Sequence, residues 1–200
     1  MTNHYFSQNE PERSAPRFFS YTFGQYKYNF ATDSGVFSVG KMDFATDMLI
    51  RNVPPLCGSL LDMGCGYGAI GIVLAKEYGL HTLTQADINP RALRLTTENA
   101  AQNGVVSEVI QSDGFSQIEK PFDTIVINPP IHAGKGVIFD MYEGARRCLV
   151  PGGNLYIVIQ KKHGAESSIK RLNEIFGNCE ILHKKKGHKI LLSCHTSTVP

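Results

Sequence analysis

From residue 58 onward, short apolar runs alternate with longer stretches whose apolar positions recur every three to four residues. SLLDMG reads as a strand, and after a glycine-rich turn AIGIVLAKEYG reads as a helix. HTLTQAD is a second strand, followed by PRALRLTTENAAQNG, a helix with proline in its first turn and glycine beyond its end. SEVIQSD is a third strand. FDTIVIN is a fourth, continuously apolar at its centre, as a parallel strand covered on both faces should be. GVIFDMYEGARRCL is a helix stopped by Pro151-Gly152-Gly153, and NLYIVIQ is a fifth strand. SSIKRLNEIFG is the next helix, and CEILHKKKGHKILLSCH closes as a hairpin turning at Lys186-Gly187. Strands alternating with helices in this way predict a doubly wound α/β sheet. It has seven mostly parallel strands, helices on both faces and an antiparallel C-terminal hairpin.

Before residue 58 the pattern differs. Residues 1–20 are polar and proline-bearing but include Tyr5, Phe6, Phe18 and Phe19, which predicts an arm packed by its aromatics. YTFGQYKYNF places aromatics around a Gly-Gln turn and predicts a small hairpin. Asp33-Ser34-Gly35 marks another turn before Val36-Phe37-Ser38, and an amphipathic helix begins near Lys41 and ends before Pro54-Pro55. The expected organisation is an N-terminal arm with a small hairpin over residues 1–40 and one domain over 41–200, with no internal repeat.

Composition narrows the class without changing this outline. Two hundred residues, 42% hydrophobic and 19% charged, describe a globular protein able to bury a full core unaided. No apolar run reaches the roughly 20 residues a membrane-spanning helix needs, and the N-terminus lacks a secretory pattern, so a cytoplasmic, membrane-free protein is expected. The five cysteines (Cys57, Cys65, Cys148, Cys179 and Cys194) form no C-x-x-C pair, which argues against a disulfide framework or a zinc site. The histidines lack metal-ligand spacing, so no metal is expected. His188 and His195, on either side of Cys194, are expected to be structural parts of a strand. A net charge of +2 announces no particular partner. Its distribution says more: residues 161–189 hold eight Lys or Arg against three Glu. Such a surface suits phosphates or guards a strand edge with lysines.

Three sites carry candidate chemistry. Asp62-Met63-Gly64-Cys65-Gly66-Tyr67-Gly68 lies between the first strand of the alternating region and its helix. Gly64, Gly66 and Gly68 allow a sharp turn that brings bare backbone against a ligand. The dinucleotide fingerprint G-x-G-x-x-G is not matched, because the third glycine comes one residue early. Asp87, 25 positions after Asp62 at the end of the next strand, is placed to accept hydrogen bonds from ribose hydroxyls, with Ile88 beside it. Asp113 and Gly114, after the third strand, are placed to meet an adenine amino group.

The third site decides the reaction. The fourth strand ends in Asn128-Pro129-Pro130-Ile131, and in a doubly wound sheet it neighbours the first strand at the switch point. Asn128 should then face the glycine loop across the crevice. Two prolines stiffen the turn, so the Asn128 oxygen and the Pro129 carbonyl can accept both hydrogens of an NH2 group. An amino nitrogen conjugated into its neighbours is a poor nucleophile, and two acceptors hold it with its lone pair aimed at an electrophile.

The run LLDMGCGYGAIG, Asp87, Asp113 and the NPPI tetrapeptide resemble the class I methyltransferases that modify planar NH2 groups. NPPIHAGK, with Gly35-Val36-Phe37-Ser38 upstream and Lys184-Lys185-Lys186-Gly187 downstream, is similar more narrowly to the small-subunit ribosomal RNA guanine-N2 methyltransferases, whose catalytic half is the methyltransferase-small domain. The resemblance runs from about residue 20 to 195. It implies a Rossmann-like fold, S-adenosyl-L-methionine as methyl donor and ribosomal RNA or the small ribosomal subunit as partner. It also implies cofactor contacts from Asp62, Gly64, Cys65, Gly66, Gly68, Asp87, Ile88, Asp113, Gly114 and Asn128, and chemistry at Asn128, Pro129 and Pro130. Ile131 stands where the family usually has an aromatic that stacks on the base, which implies that Phe37 or His132 shares that task. Lys135 is positioned to meet a phosphate, and Phe37 and Asp43 read as lid residues over the cofactor. Longer members carry a second, degenerate domain for substrate binding; here either the N-terminal arm serves in its place or a different substrate is used.

Two other chemistries compete. Release-factor-type glutamine methyltransferases share NPP but normally continue with tyrosine, where this chain has Ile131-His132. A cofactor-binding scaffold without activity would have no need of an amine-gripping turn.

Overall fold

The computed structural model describes residues 16–36, 38–130 and 134–196. A two-stranded antiparallel hairpin comes first, β1 (Arg17–Phe23) and β2 (Tyr26–Thr32), turning at Gly24-Gln25. Helix α1 (Phe44–Asn52) follows. The alternating region is β3 (Ser59–Met63), α2 (Ala69–Tyr78), β4 (Thr82–Asp87), α3 (Pro90–Gln102), β5 (Glu108–Gln111), β6 (Phe122–Ile127), α4 (Gly134–Cys148), β7 (Leu149–Gln160), α5 (Ala165–Phe176), β8 (Glu180–Lys185) and β9 (His188–Cys194). A short 3-10 turn at Lys161–His163 joins β7 to α5.

The main sheet has seven strands in the order β5-β4-β3-β6-β7-β9-β8. Strands β3 to β7 pair in parallel, while β9 is antiparallel to both β7 and β8. The predicted doubly wound architecture is therefore the observed one, with the chain reversing direction of travel between β3 and β6. Side chains alternate across the sheet as a period of two requires. Leu60, Val126, Val158 and Ile190 join α1, α2 and α3 on one face. Leu61, Ile125, Ile127, Ile157 and Leu191 join α4 and α5 on the other.

Several boundaries differ from the expectations. Helix α1 starts at Phe44 rather than near Lys41, because the Asp43 carboxylate accepts the Ala45 N–H at 2.8 Å and the Thr46 N–H, which sets the first turn. Strand β7 begins at Leu149 and continues through Pro151-Gly152-Gly153, a segment that reads locally only as a helix stop. Of the arm aromatics, Phe19 packs at 5.6 Å from the Phe30 ring and 6.0 Å from the Tyr67 ring, while Phe18 is 72% exposed. Neighbouring strand residues face opposite sides, so only one of the pair can reach the core. Tyr5 and Phe6 lie outside the described residues.

The hairpin is fastened to the domain by α3. Asn99 accepts the Ala31 N–H at 2.8 Å and donates to the Ala31 carbonyl at 2.9 Å. Asn103 does the same for Asn29, at 3.0 and 2.8 Å. Two amides one helical turn apart thus satisfy an edge of β2 that a further strand would otherwise pair.

Candidate active site

The candidate residues gather at the carboxyl ends of β5, β4, β3 and β6, where open α/β sheets place their ligand crevice. After β3 the chain folds back over β4. The N–H groups of Gly64 and Cys65 both donate to the Ala86 carbonyl, at 2.8 and 3.0 Å. Gly64, Gly66 and Gly68 take φ of 72°, 59° and 88°, in the left-handed region that side chains with a Cβ avoid. A Cβ at Gly66 would meet no atom within 4 Å, so the backbone there borders open space.

Asp87 closes the loop against β4. One carboxylate oxygen accepts the Gly66 N–H at 2.9 Å and the other accepts the Asn89 N–H at 2.9 Å. Asn89, not Asp87, caps α3, accepting the Arg91 N–H at 3.0 Å. A carboxylate has about four acceptor positions, so two remain for a ligand. Ile88 offers its carbonyl to the Gln111 amide at 3.3 Å, beside the Asp87 backbone that receives the Ser112 N–H. Asp113 is exposed next to Gly114, which has φ of 51° and open space at its Cβ position.

Other expected contacts stand behind the loop. Asp62 is wholly buried on the α2 face, accepting the Gly71 N–H at 2.8 Å and the Gln85 amide at 3.4 Å. A Cβ at Gly71 would lie 3.1 Å from that of Asp62, so the helix approaches this closely only with glycine there. Burial pushes the Asp62 carboxyl up to about 7, against the lowering effect of those two donors. Cys65 turns its thiol down toward Thr96, 3.5 Å away, and burial raises the thiol well above its usual range. Cys65 therefore offers the crevice backbone only. Helix α3 holds the loop from beneath: Thr96 donates to the Gly66 carbonyl at 2.9 Å and Asn99 to the Tyr67 carbonyl at 2.8 Å.

Asn128 follows β6 directly and is half-buried, on the same sheet face as Asp62. Its NH2 donates to Thr46 Oγ1 of α1 at 3.1 Å. With that end engaged, the amide has its oxygen left to offer. Pro129 is buried and Pro130 exposed. A small cavity opens beside them, lined by Ala45, Asn128, Pro129, Gln160, His163 and His188 together with Ile138, Val158 and Ile159. Phe37, Ile131 and His132 lie outside the described residues. Lys135 is exposed at the start of α4 and approaches the Gly164 turn.

The segment before α1 is tied over the Asp87 end of the crevice. Asn89 donates to the Gly35 carbonyl at 3.1 Å and Arg91 to the Ser34 carbonyl at 2.7 Å. Asp43, read as a lid residue, is the α1 cap. Sequence reasoning missed Thr46, Thr96 and Asn99, ordinary polar positions on amphipathic helices that nothing local distinguishes. It also missed His188. Of the two histidines expected to be structural, His195 accordingly contacts the Leu149 carbonyl at 2.8 Å and Arg146, but His188 reaches the Asn128 cavity. Among the described residues no helix is long and apolar enough to cross a membrane, and no cluster of three metal-ligating side chains occurs.

A family model described as the methyltransferase small domain matches residues 27–192. The Bacillus subtilis protein YbxB, described only as uncharacterized, is 40% identical over 196 residues, covering 96% of this chain and 98% of its own. Ribosomal RNA small subunit methyltransferase C of Pasteurella multocida is 40% identical over 129 residues, covering 62% of this chain but 39% of that protein. The solved structure of a Thermus thermophilus 16S rRNA N2 methyltransferase, in complex with AdoMet and guanosine, superposes with a TM-score of 0.78 at 28% identity, covering 92% of this chain and 52% of that one. The chain thus spans about half or less of these two methyltransferases, and nearly the whole of the Bacillus relative. With a match running from β2 to β9, the chain belongs to the methyltransferase small domain family.

Proposed function

We propose that the chain transfers a methyl group from S-adenosyl-L-methionine to an exocyclic amino nitrogen, that of guanine N2 in small-subunit ribosomal RNA. The observation that carries this reading is Asn128: its NH2 donates one hydrogen to Thr46, which orients the amide and leaves its oxygen as an acceptor, and it stands across the sheet's switch point from Asp87 and the glycine loop.

The residues present fit the donor. Open space over Gly66 admits a ligand against bare backbone, and Asp87 keeps acceptor capacity for a ribose diol. Its charge suits a neutral nucleoside and would repel a phosphate. Asp113 and Gly114 border the same crevice on the β5 side, where an adenine amine would be received. When bound, S-adenosyl-L-methionine supplies a methyl group on a cationic sulfur, an electrophile that needs no further activation. The protein's task is to present the nucleophile. The Asn128 oxygen and the Pro129 carbonyl take the two amine hydrogens and hold the nitrogen's lone pair toward the crevice. Such positioning supplies up to about 7–11 kcal/mol in favourable cases. No side chain has to remove a proton beforehand, because the nitrogen becomes acidic only after alkylation. Phe37, Ile131, His132 and Lys135 are the substrate-side residues of this reading.

The test is incubation with tritiated methyl donor and, separately, small ribosomal subunits and release factors, with the labelled product identified by mass spectrometry. N2-methylguanosine is the expected product. Methylated glutamine would replace the substrate assignment, and no transfer to either would leave a cofactor-binding scaffold.

A further inference from the structure

Three segments far apart in sequence meet at the cavity beside Asn128. His188, the first residue of β9, lines it together with Asn128, Pro129 and Ala45. Phe44, preceding Ala45 in the first turn of α1, sets its ring 5.2 Å from the His188 ring at an interplanar angle of 60°. Lys186, at the hairpin tip, holds its ammonium 5.3 Å from the centre of the Phe44 ring. The Gly187 carbonyl accepts the Lys161 N–H at 2.7 Å, which ties the tip to the turn carrying Lys161, Lys162 and His163.

From this convergence we infer that the β8–β9 tip and the first turn of α1 form the wall that grips the acceptor nucleotide. Phe44 and His188 supply the aromatic surface for the base, and Lys186, Lys161 and Lys162 contact the flanking phosphates. The inference rests on the RNA reading above and adds the residues that make it nucleotide-specific.

Charge and chemistry favour a nucleotide over a peptide. Lys161, Lys162, Lys184, Lys185 and Lys186 are all exposed here. Among the described residues, the acid drawn to them is Glu166, and Lys189 holds its carboxyl below the usual range. An aromatic surface within a cationic rim is how proteins hold unpaired nucleotides, by stacking the base and neutralising the backbone. A lysine placed only to guard a sheet edge would project from β8, the outermost strand, into water. Lys186 instead lies against the ring beside the acceptor cavity.

The experiment measures steady-state methylation of small ribosomal subunits and, without methyl donor, anisotropy of a fluorescent guanine-containing single-stranded RNA. The variants are Phe44→Leu, Phe44→Tyr and His188→Gln. Phe44→Leu and His188→Gln should each raise KM for RNA and weaken oligonucleotide binding on the order of tenfold, the loss of one stacked base. Turnover at saturation should stay within about twofold, and Phe44→Tyr should restore KM, because it returns a π-face. Phe44 also packs against the core, so His188→Gln carries the test should Phe44→Leu fail to fold. Wild-type RNA methylation with unchanged KM in His188→Gln would overturn the inference and leave the proposed function standing. So would a fall in kcat at constant KM. A wild-type enzyme that methylates glutamine and not RNA overturns both.

Discussion

The Asn128 NH2 gives one hydrogen to Thr46, which fixes how the amide is turned and leaves its oxygen to accept. Replacing Asn128 with alanine removes the acceptor proposed to hold the amine in line, so the loss should fall on turnover. Single-turnover methyl transfer by Asn128→Ala should slow on the order of a hundredfold or more, as when one preorganised polar group is deleted, with little change in cofactor affinity. A near-normal rate would remove Asn128 from the mechanism. Asp87 should behave in the opposite way. Asp87→Ala removes the proposed ribose acceptor and frees the Gly66 N–H, so calorimetry should show S-adenosyl-L-methionine binding weakened by about 1.5–3 kcal/mol, the range for a charged hydrogen bond. Asp62 acts through proton linkage. With its folded carboxyl at about 7 and an unfolded value near 4, the folded state holds a proton between those limits that the unfolded chain has released. Stability from this group is therefore complete below about pH 4, falls as pH rises and levels off above about pH 7. The unfolding free energy of wild type minus that of Asp62→Asn should drop over this window, by at most about 4 kcal/mol at 1.36 per unit. A flat difference in urea titrations would show that Asp62 titrates like an exposed carboxyl.

At the scale of elements, α3 is the bracket of the molecule. Its N-terminus is capped by Asn89, which also reaches Gly35; Thr96 holds the glycine loop; Asn99 and Asn103 hold β2. Asn99 serves two elements at once, since its NH2 donates to both Ala31 and Tyr67. Asn99→Ala strands buried backbone groups on both, each costing about 1–3 kcal/mol when left unpaired. The expected result is a loss of about 2–4 kcal/mol in urea unfolding together with weaker cofactor binding, because the loop loses its support. Asn103→Ala, which touches the hairpin edge but not the loop, should destabilise without changing cofactor affinity. Equal effects of the two variants on cofactor binding would show that α3 does not couple the hairpin to the loop.

Across the whole molecule the net charge is small, but the lysines of 161–162 and 184–186 collect at the β8–β9 end, next to the Asn128 cavity. RNA affinity should therefore depend on salt through that end while cofactor affinity does not. Replacing Lys184, Lys185 and Lys186 together by glutamine should flatten the plot of log affinity for single-stranded RNA against log salt, by about 0.7 for each phosphate that is no longer neutralised. An identical slope in the triple variant would reduce these lysines to guards of the β8 edge.

The order of strands and helices, the glycine turn after β3, Asp87 at the end of β4 and Asn128 at the end of β6 were all legible in the chain, because each is written in a local pattern. Side-chain period tells strand from helix, and a ligand-facing turn needs glycine where φ is positive. A period also tells which residues share a face, but not what that face meets. Asp62 and Asp87 are both acids next to the same loop. Only the seating of α2 on the sheet turns one inward to Gly71, while the other stays at the crevice. The partners of Asn128, Asn99 and His188 come from segments more than 30 residues away, brought near by how α1, α3 and the terminal hairpin pack. Strand β7 likewise resumes its pairing with β6 only at Asn154: at Pro151-Gly152-Gly153 the register shifts, and Gly152 and Gly153 exchange backbone hydrogen bonds with His195, a partner from the far end of the chain. Local sequence determined which groups the molecule possesses and which strand ends carry them. Packing of separate elements on the two faces decided which groups meet, because those contacts depend on where whole helices come to rest.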